Sequence, residues 1–126
     1  MSTIKSEASF SLLTGNTIDA IQFKRGSIIF REGDEARELF VIKSGHVRIQ
    51  IGNRTITELG VDSIFGEMAL IDHNARSATA VAATDATVVP VSEKQFLFLV
   101  SRTPHFALNV MRVLAQRLRT TNSVIY

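Results

Sequence analysis

The sequence predicts a mainly β protein with flanking helices: a β-roll or jelly-roll of about eight strands, a short N-terminal helix, a one-turn helix in mid-chain and two C-terminal helices. Three observations predict it. Six glycines from Gly26 to Gly66 punctuate the chain every six to twelve residues, and none follows. The runs between them are short and rich in β-branched and aromatic residues, as in successive strands and turns. After Ser92 the apolar residues recur at three- and four-residue spacing instead, which is helical.

The elements follow in order. Residues Met1 to Asn16 carry a weak helical signal at Phe10, Leu12 and Leu13, closed by the turn pair Gly15-Asn16. Expected strands run over Ile21 to Lys24, Ser27 to Phe30, Leu39 to Lys43, Val47 to Ile51 and Thr55 to Leu59. Val47, Ile49 and Ile51 alternate with Arg48 and Gln50, which gives that strand one packed and one wet face. Gly52-Asn53 suits a two-residue hairpin turn into Thr55. Ser77 to Ala83 alternates small residues, which leave room for a close neighbour or a ligand. Thr87 to Val91 is the last strand, with Pro90 expected near its end rather than in a central ladder. Ser92 to Gln95 fits a capping box, with Val91 and Phe96 as its hydrophobic staple, and opens a helix to about Ser101. Thr103 as N-cap and Pro104 as first helical residue open the second, which runs to about Thr120. Its expected inward stripe is Phe106, Val110, Met111, Leu114 and Leu118.

With 126 residues, 45% hydrophobic and 21% charged, the chain reads as one domain, 1–126, around one core. No apolar run approaches the ~20 residues of a membrane span, and the first residues lack a signal-peptide core. A cytoplasmic protein with no membrane contact is expected. The absence of cysteine excludes disulfides and thiolate metal sites. Net charge is 14 − 12 = +2, too small by itself to imply a polyanionic partner.

The stretch Phe65 to Ala80, F-G-E-M-A-L-I-D-H-N-A-R-S-A-T-A, concentrates the chemistry. A helix start presents unpartnered N–H groups and a partial positive charge, and Gly66 lets a ligand approach the backbone of Gly66, Met68 and Ala69. Arg76 lies across a polar loop, and its planar fork matches two phosphate oxygens. Glu67 is an acceptor suited to a sugar hydroxyl. Phosphate donors and a sugar acceptor within ten residues describe a nucleotide-sized ligand. The competing account is a surface Glu67–Arg76 ion pair, worth about 0–1 kcal/mol.

F-G-E-M-A-L followed by R-S-A-T resembles the phosphate-binding cassette of the cyclic nucleotide-binding domains, the family of the catabolite activator protein, the protein kinase A regulatory subunit and nucleotide-gated channels. Gly26 to Val47 is similar to that family's first strands, and the likeness runs from about Ile21 to Leu118. One departure stands out: Asp62 occupies the place of a family glycine, and Asp can adopt the left-handed conformation at some cost, so the turn is expected with altered geometry. The resemblance implies a β-roll followed by two helices, with cyclic AMP as ligand and cyclic GMP second, and no other cofactor. It implies that Ser77 assists Arg76 at the phosphate, and that Ile49, Thr57 and Ala78 line the roll around sugar and base. It further implies that the C-terminal helix closes as a lid which an unidentified protein partner reads.

The function expected is a free-standing sensor rather than an enzyme. No nucleophile stands beside a base, and His46, His73 and His105 are scattered, without the grouping of a metal site. Two alternatives are weighed: a small cupin-like metalloenzyme, and a domain of this fold acting only through protein contacts. No DNA-recognition element is evident, and the choice of monomer or homodimer stays open. From Gln95 to Tyr126 there is no acidic residue but four arginines, Arg102, Arg112, Arg117 and Arg119. They are expected on a solvated helix face, near a C-terminal dipole that favours cations, with one residue of this helix covering the purine.

Overall fold

The structure, a computed structural model, describes residues 20–121 and Tyr126. The expected N-terminal helix lies outside the described residues. Among the described residues eight strands form two four-stranded antiparallel sheets. One sheet has the order β1 (Ile21–Phe23), β8 (Ala86–Ser92), β3 (Glu38–Ser44), β6 (Ile64–Phe65). The other has the order β2 (Ile28–Phe30), β7 (Thr79–Ala82), β4 (Val47–Ile51), β5 (Arg54–Leu59). A 3-10 helix, Glu67–Leu70, follows β6, and two helices follow β8: α1 (Glu93–Arg102) and α2 (His105–Thr121). Among the described residues no helix is long and apolar enough to cross a membrane.

The sheets face each other over a core of Phe40, Ile42, Val47, Ile49, Leu59, Phe65, Ala78, Ala80 and Val88. Side chains alternate across a strand, so β3 sends Phe40 and Ile42 into this core and Leu39 and Val41 to its other face. There Leu39 and Val41 meet Ile64, Val91, Phe106, Val110 and Val113, the second core, beneath the helices. Being covered on both sides, β3 reads as a continuous apolar run rather than an alternating one.

Local rules set the joints. The β4–β5 hairpin turns at Gly52, where φ is +58°, with Ile51 opposite Arg54. At the start of α1 the Ser92 hydroxyl accepts from the Gln95 N–H at 3.2 Å, and the Gln95 carboxamide accepts from the Ser92 N–H at 2.8 Å. That is the reciprocal capping box expected from the sequence, and Val91 and Phe96 pack in one cluster as its staple. Asp62 takes the left-handed conformation, φ +72°, so the turn into β6 survives the loss of its glycine.

Three expectations are corrected. Strand β6 was not foreseen: at two residues it is too short to show a period. Pro90 pairs opposite Phe40 inside the β8–β3 ladder, and β8 is an inner strand. It is tolerated because β1 reaches only to Val88, so beyond that point β8 has a single strand neighbour among the described residues. The buried stripe of α2 is Phe106, Val110, Val113 and Arg117, while Met111 (56% exposed) and Leu118 (62%) face outward.

Candidate ligand site

The cassette is built where the two sheets meet. Strand β6 pairs with β3, Phe65 opposite Phe40, and delivers the chain to Gly66. Gly66 has φ +76°, a conformation that favours glycine, and a Cβ there would stand 2.6 Å from Arg76 Nη1. Both facts weigh against a side chain here. The four-residue 3-10 helix begins at once, with no side-chain cap. The loop beyond is closed by the Asp72 carboxylate accepting from the Asn74 N–H at 3.0 Å and by His73 at φ +60°.

Arg76 is fixed at both backbone groups. Its N–H donates to the Asp34 carbonyl and its carbonyl accepts from the Gly33 N–H, each at 2.8 Å. The side chain then turns inward, 7% exposed. Nη1 donates to the Gly66 carbonyl at 3.2 Å and Nη2 to the Glu38 carbonyl at 2.9 Å. The guanidinium lies over the Phe30 ring, 4.1 Å from its centroid, with Phe40 at 5.6 Å. Nε is buried without a partner. Burial lowers the Arg76 pKa, against the opposing pull of Glu38, Asp34 and Glu67. Among the described residues no carboxylate reaches this guanidinium within ion-pair distance. A buried cation held by neutral carbonyls and an aromatic face is chemically suited to an anion.

Glu67 corrects the picture of a surface ion pair. Its side chain is fully buried, and its partner is Arg117 of α2, not Arg76. Arg117 Nη1 donates to Glu67 Oε1 at 2.7 Å, and Nη2 donates to the Ile64 carbonyl. Glu67 Oε2 is buried without a hydrogen-bond partner. Arg117 is 1% exposed, which overturns its expected place on a solvated helix face. It is a buried neighbour of the cassette that sequence reasoning missed. A signal was present: Phe106, Val110, Val113 and Arg117 share one helical stripe, and an arginine on an apolar stripe calls for a buried acid.

The pocket beside Arg76 is lined by Ile49, Gly66, Met68, Ala69, Arg76, Ser77 and Ala78, so seven of the nine expected residues converge on it. Phe30, Asn74 and Tyr126 join them, none of which was singled out from the sequence. Thr57 stands opposite Ile49 on β5, half-buried, outside this lining. Glu67 opens instead on a second cavity with Leu39, Leu70, Glu93, Phe96 and Val110, between the cassette and the helices. Tyr126 is bound into the first pocket. Its main-chain oxygen accepts from the Gly66 N–H at 2.6 Å, and its ring lies 4.2 Å from the Arg117 guanidinium.

Comparison with known proteins agrees with this geometry. The family model for the cyclic nucleotide-binding domain matches residues 20–103. The cyclic AMP receptor protein of Thermus thermophilus is 38% identical over 102 residues, covering 77% of this chain and 47% of the relative. The chain therefore spans about half the length of that receptor. The crystal structure of Thermus thermophilus catabolite activator protein superposes with a TM-score of 0.75 at 35% identity, over 82% of this chain and 51% of the other. The EAL enzyme Bd1971 in its cAMP-bound form is 38% identical, with a TM-score of 0.61 over 79% of this chain and 28% of that one. The matched span takes in both sheets, the cassette and α1, and with Arg76 and Gly66 standing at its centre the chain belongs to the cyclic nucleotide-binding domain family.

Proposed function

We propose that the chain is a sensor of cyclic nucleotides, taking cyclic AMP first and cyclic GMP second. The observation that carries this is Arg76, a buried guanidinium with an unpartnered Nε at the wall of a pocket beside Gly66. The cyclic phosphate is held by Arg76 with help from Ser77 and from the backbone at Gly66, Met68 and Ala69. Glu67 Oε2, buried without a partner, is assigned the ribose 2′-hydroxyl, which requires binding to open its side chain, now on the neighbouring cavity, towards the ligand pocket; Ile49, Ala78 and Thr57 border sugar and base. Such a site needs charge and shape complementarity only, so it is read as a binding module rather than a catalyst. The preference for cyclic AMP is supported by the Thermus receptor; the related enzyme Bd1971, solved with cAMP and with cGMP, supports keeping both. The signal leaves through α2, because Arg117 ties that helix to the cassette residue expected to meet the sugar.

Calorimetric titration with both nucleotides tests the reading. Arg76→Ala is expected to weaken binding by about two to three orders of magnitude, since removing one partner of a desolvated charge costs ~3–5 kcal/mol. Wild-type affinity in the folded variant would exclude the phosphate role.

A further inference from the structure

We propose that Tyr126 is a built-in competitor for the ligand site, which a cyclic nucleotide must displace to bind. This rests on the nucleotide reading above. Tyr126 makes three contacts that such a ligand would seek. Its main-chain oxygen accepts from the Gly66 N–H at 2.6 Å, at the start of the cassette helix. Its ring, 8% exposed, packs in the inter-sheet core with Ile49, Phe65 and Ala78, against the floor expected to meet sugar and base. One face of that ring meets the Arg117 guanidinium at 4.2 Å. An acceptor oxygen beside a flat aromatic plane is also the outline of a nucleotide.

The space left beside the ring is too small for a nucleotide. The space left in this pocket is ≈ 20 Å³, room for about one water. Sites for small ligands run to ~300–1,000 Å³. A nucleotide and the Tyr126 ring therefore exclude each other, and the observed affinity is the intrinsic affinity reduced by the fraction of molecules whose pocket is open. Arg117 lies on both sides of the exchange, in contact with the Tyr126 ring and paired with Glu67, so expelling the ring alters the surroundings of the residue that holds α2.

Two measurements on the full chain test this: calorimetric titration of wild type and Tyr126→Ala with cyclic AMP and cyclic GMP, and resonances of the labelled Tyr126 ring with a paramagnetic cosolute. The chain has a single tyrosine, so the ring gives one reporter. Tyr126→Ala is expected to bind tighter, by roughly tenfold if the ring fills the pocket in about nine molecules of ten. In wild type the ring should be shielded from the cosolute without nucleotide and exposed at saturation. Equal or weaker binding by the folded variant overturns the proposal. A ring that stays shielded at saturation overturns it too, whatever the variant does, and would make Tyr126 a cover over the ligand. If neither protein binds either nucleotide while the ring is shielded, the nucleotide reading itself fails and the competition falls with it. That outcome differs plainly from binding without displacement.

Discussion

Replacing Arg117 with methionine keeps most of the side-chain stem and removes the charge, and with it the pair to Glu67, the hydrogen bond to the Ile64 carbonyl and the contact with the Tyr126 ring. In the native fold Glu67 and Arg117 are 0% and 1% exposed and 2.7 Å apart. Without Arg117 the Glu67 carboxylate stays buried and loses the guanidinium that pairs with Oε1, while Oε2 is already without a hydrogen-bond partner. Leaving one member of a buried pair uncompensated costs about 3–5 kcal/mol. Against a total stability of ~5–15 kcal/mol, that is a large share. In thermal unfolding it corresponds to a Tm lowered by roughly 10–20 °C for a chain of this size. The exposed pair Arg37–Glu35 supplies the control, since its 2.9 Å separation is nearly the same but its side chains are 76% and 74% exposed. Arg37→Met should stay within about 0.5 kcal/mol, because solvent screens such pairs. The double variant Glu67→Gln/Arg117→Met, which removes both charges, should recover most of the loss. Urea denaturation of the four proteins reads all of this. If Arg117→Met costs no more than the surface control, or the double variant is as unstable as the single one, burial is not what sets the strength of this pair.

Gly66→Ala forces a side chain into a φ of +76° and against Arg76 Nη1, so about 1–3 kcal/mol of stability and much of the nucleotide affinity should be lost together, by urea denaturation and titration. Glu67 should read the ribose. A 2′-deoxy cyclic nucleotide is expected to bind wild type more weakly by ~1.5–3 kcal/mol, and Glu67→Ala should bind both forms alike; a penalty undiminished in the variant would assign the hydroxyl to another group. Amide hydrogen exchange should show protection rising on nucleotide binding in the cassette and over Val110 to Arg119 together, and protection confined to the cassette would refute the helix as the route of the signal.

Much of the fold was legible because it is written locally. The hairpin at Gly52, the capping box at Ser92 and the left-handed turn at Asp62 each depend on a few neighbouring residues, and each stands where the sequence puts it. Most strands are found within a residue or two of their expected bounds for the same reason. Local rules fail where the answer depends on a distant partner. Pro90 breaks a rule about central strands that is really a rule about neighbours, and how far β1 extends along β8 is not visible in the residues around Pro90. The cassette lies between these cases. Gly66 and Arg76 meet as expected, but what covers them, Phe30 on one side and Tyr126 on the other, comes from far along the chain.

The second helix shows why such a miss has a direction. Ala107, Leu108, Val110, Met111, Val113, Leu114 and Leu118 spread apolar residues over more than one face, so periodicity leaves the inward side undecided. Hydrophobicity favours the side with Met111 and Leu118, and by that measure the face bearing Arg117 is the worse choice. The fold buries it nonetheless, with Met111 and Leu118 about 120–140° round the helix from Phe106 and left in solvent. What outweighs the lost apolar contact is the electrostatics of the cassette. Glu67 is placed inside by the strand and the glycine that precede it, and a carboxylate there is tolerated only with a cation and its hydrogen bonds. Arg117 supplies both, to Glu67 and to the Ile64 carbonyl, and its position fixes the rotation of α2. One cassette carboxylate is thus paired with a helix residue fifty positions away, on the same face as the apolar contacts of Phe106, Val110 and Val113. On the proposed reading, a ligand hydroxyl drawn to Glu67 Oε2 would act on the contact between the cassette and that helix.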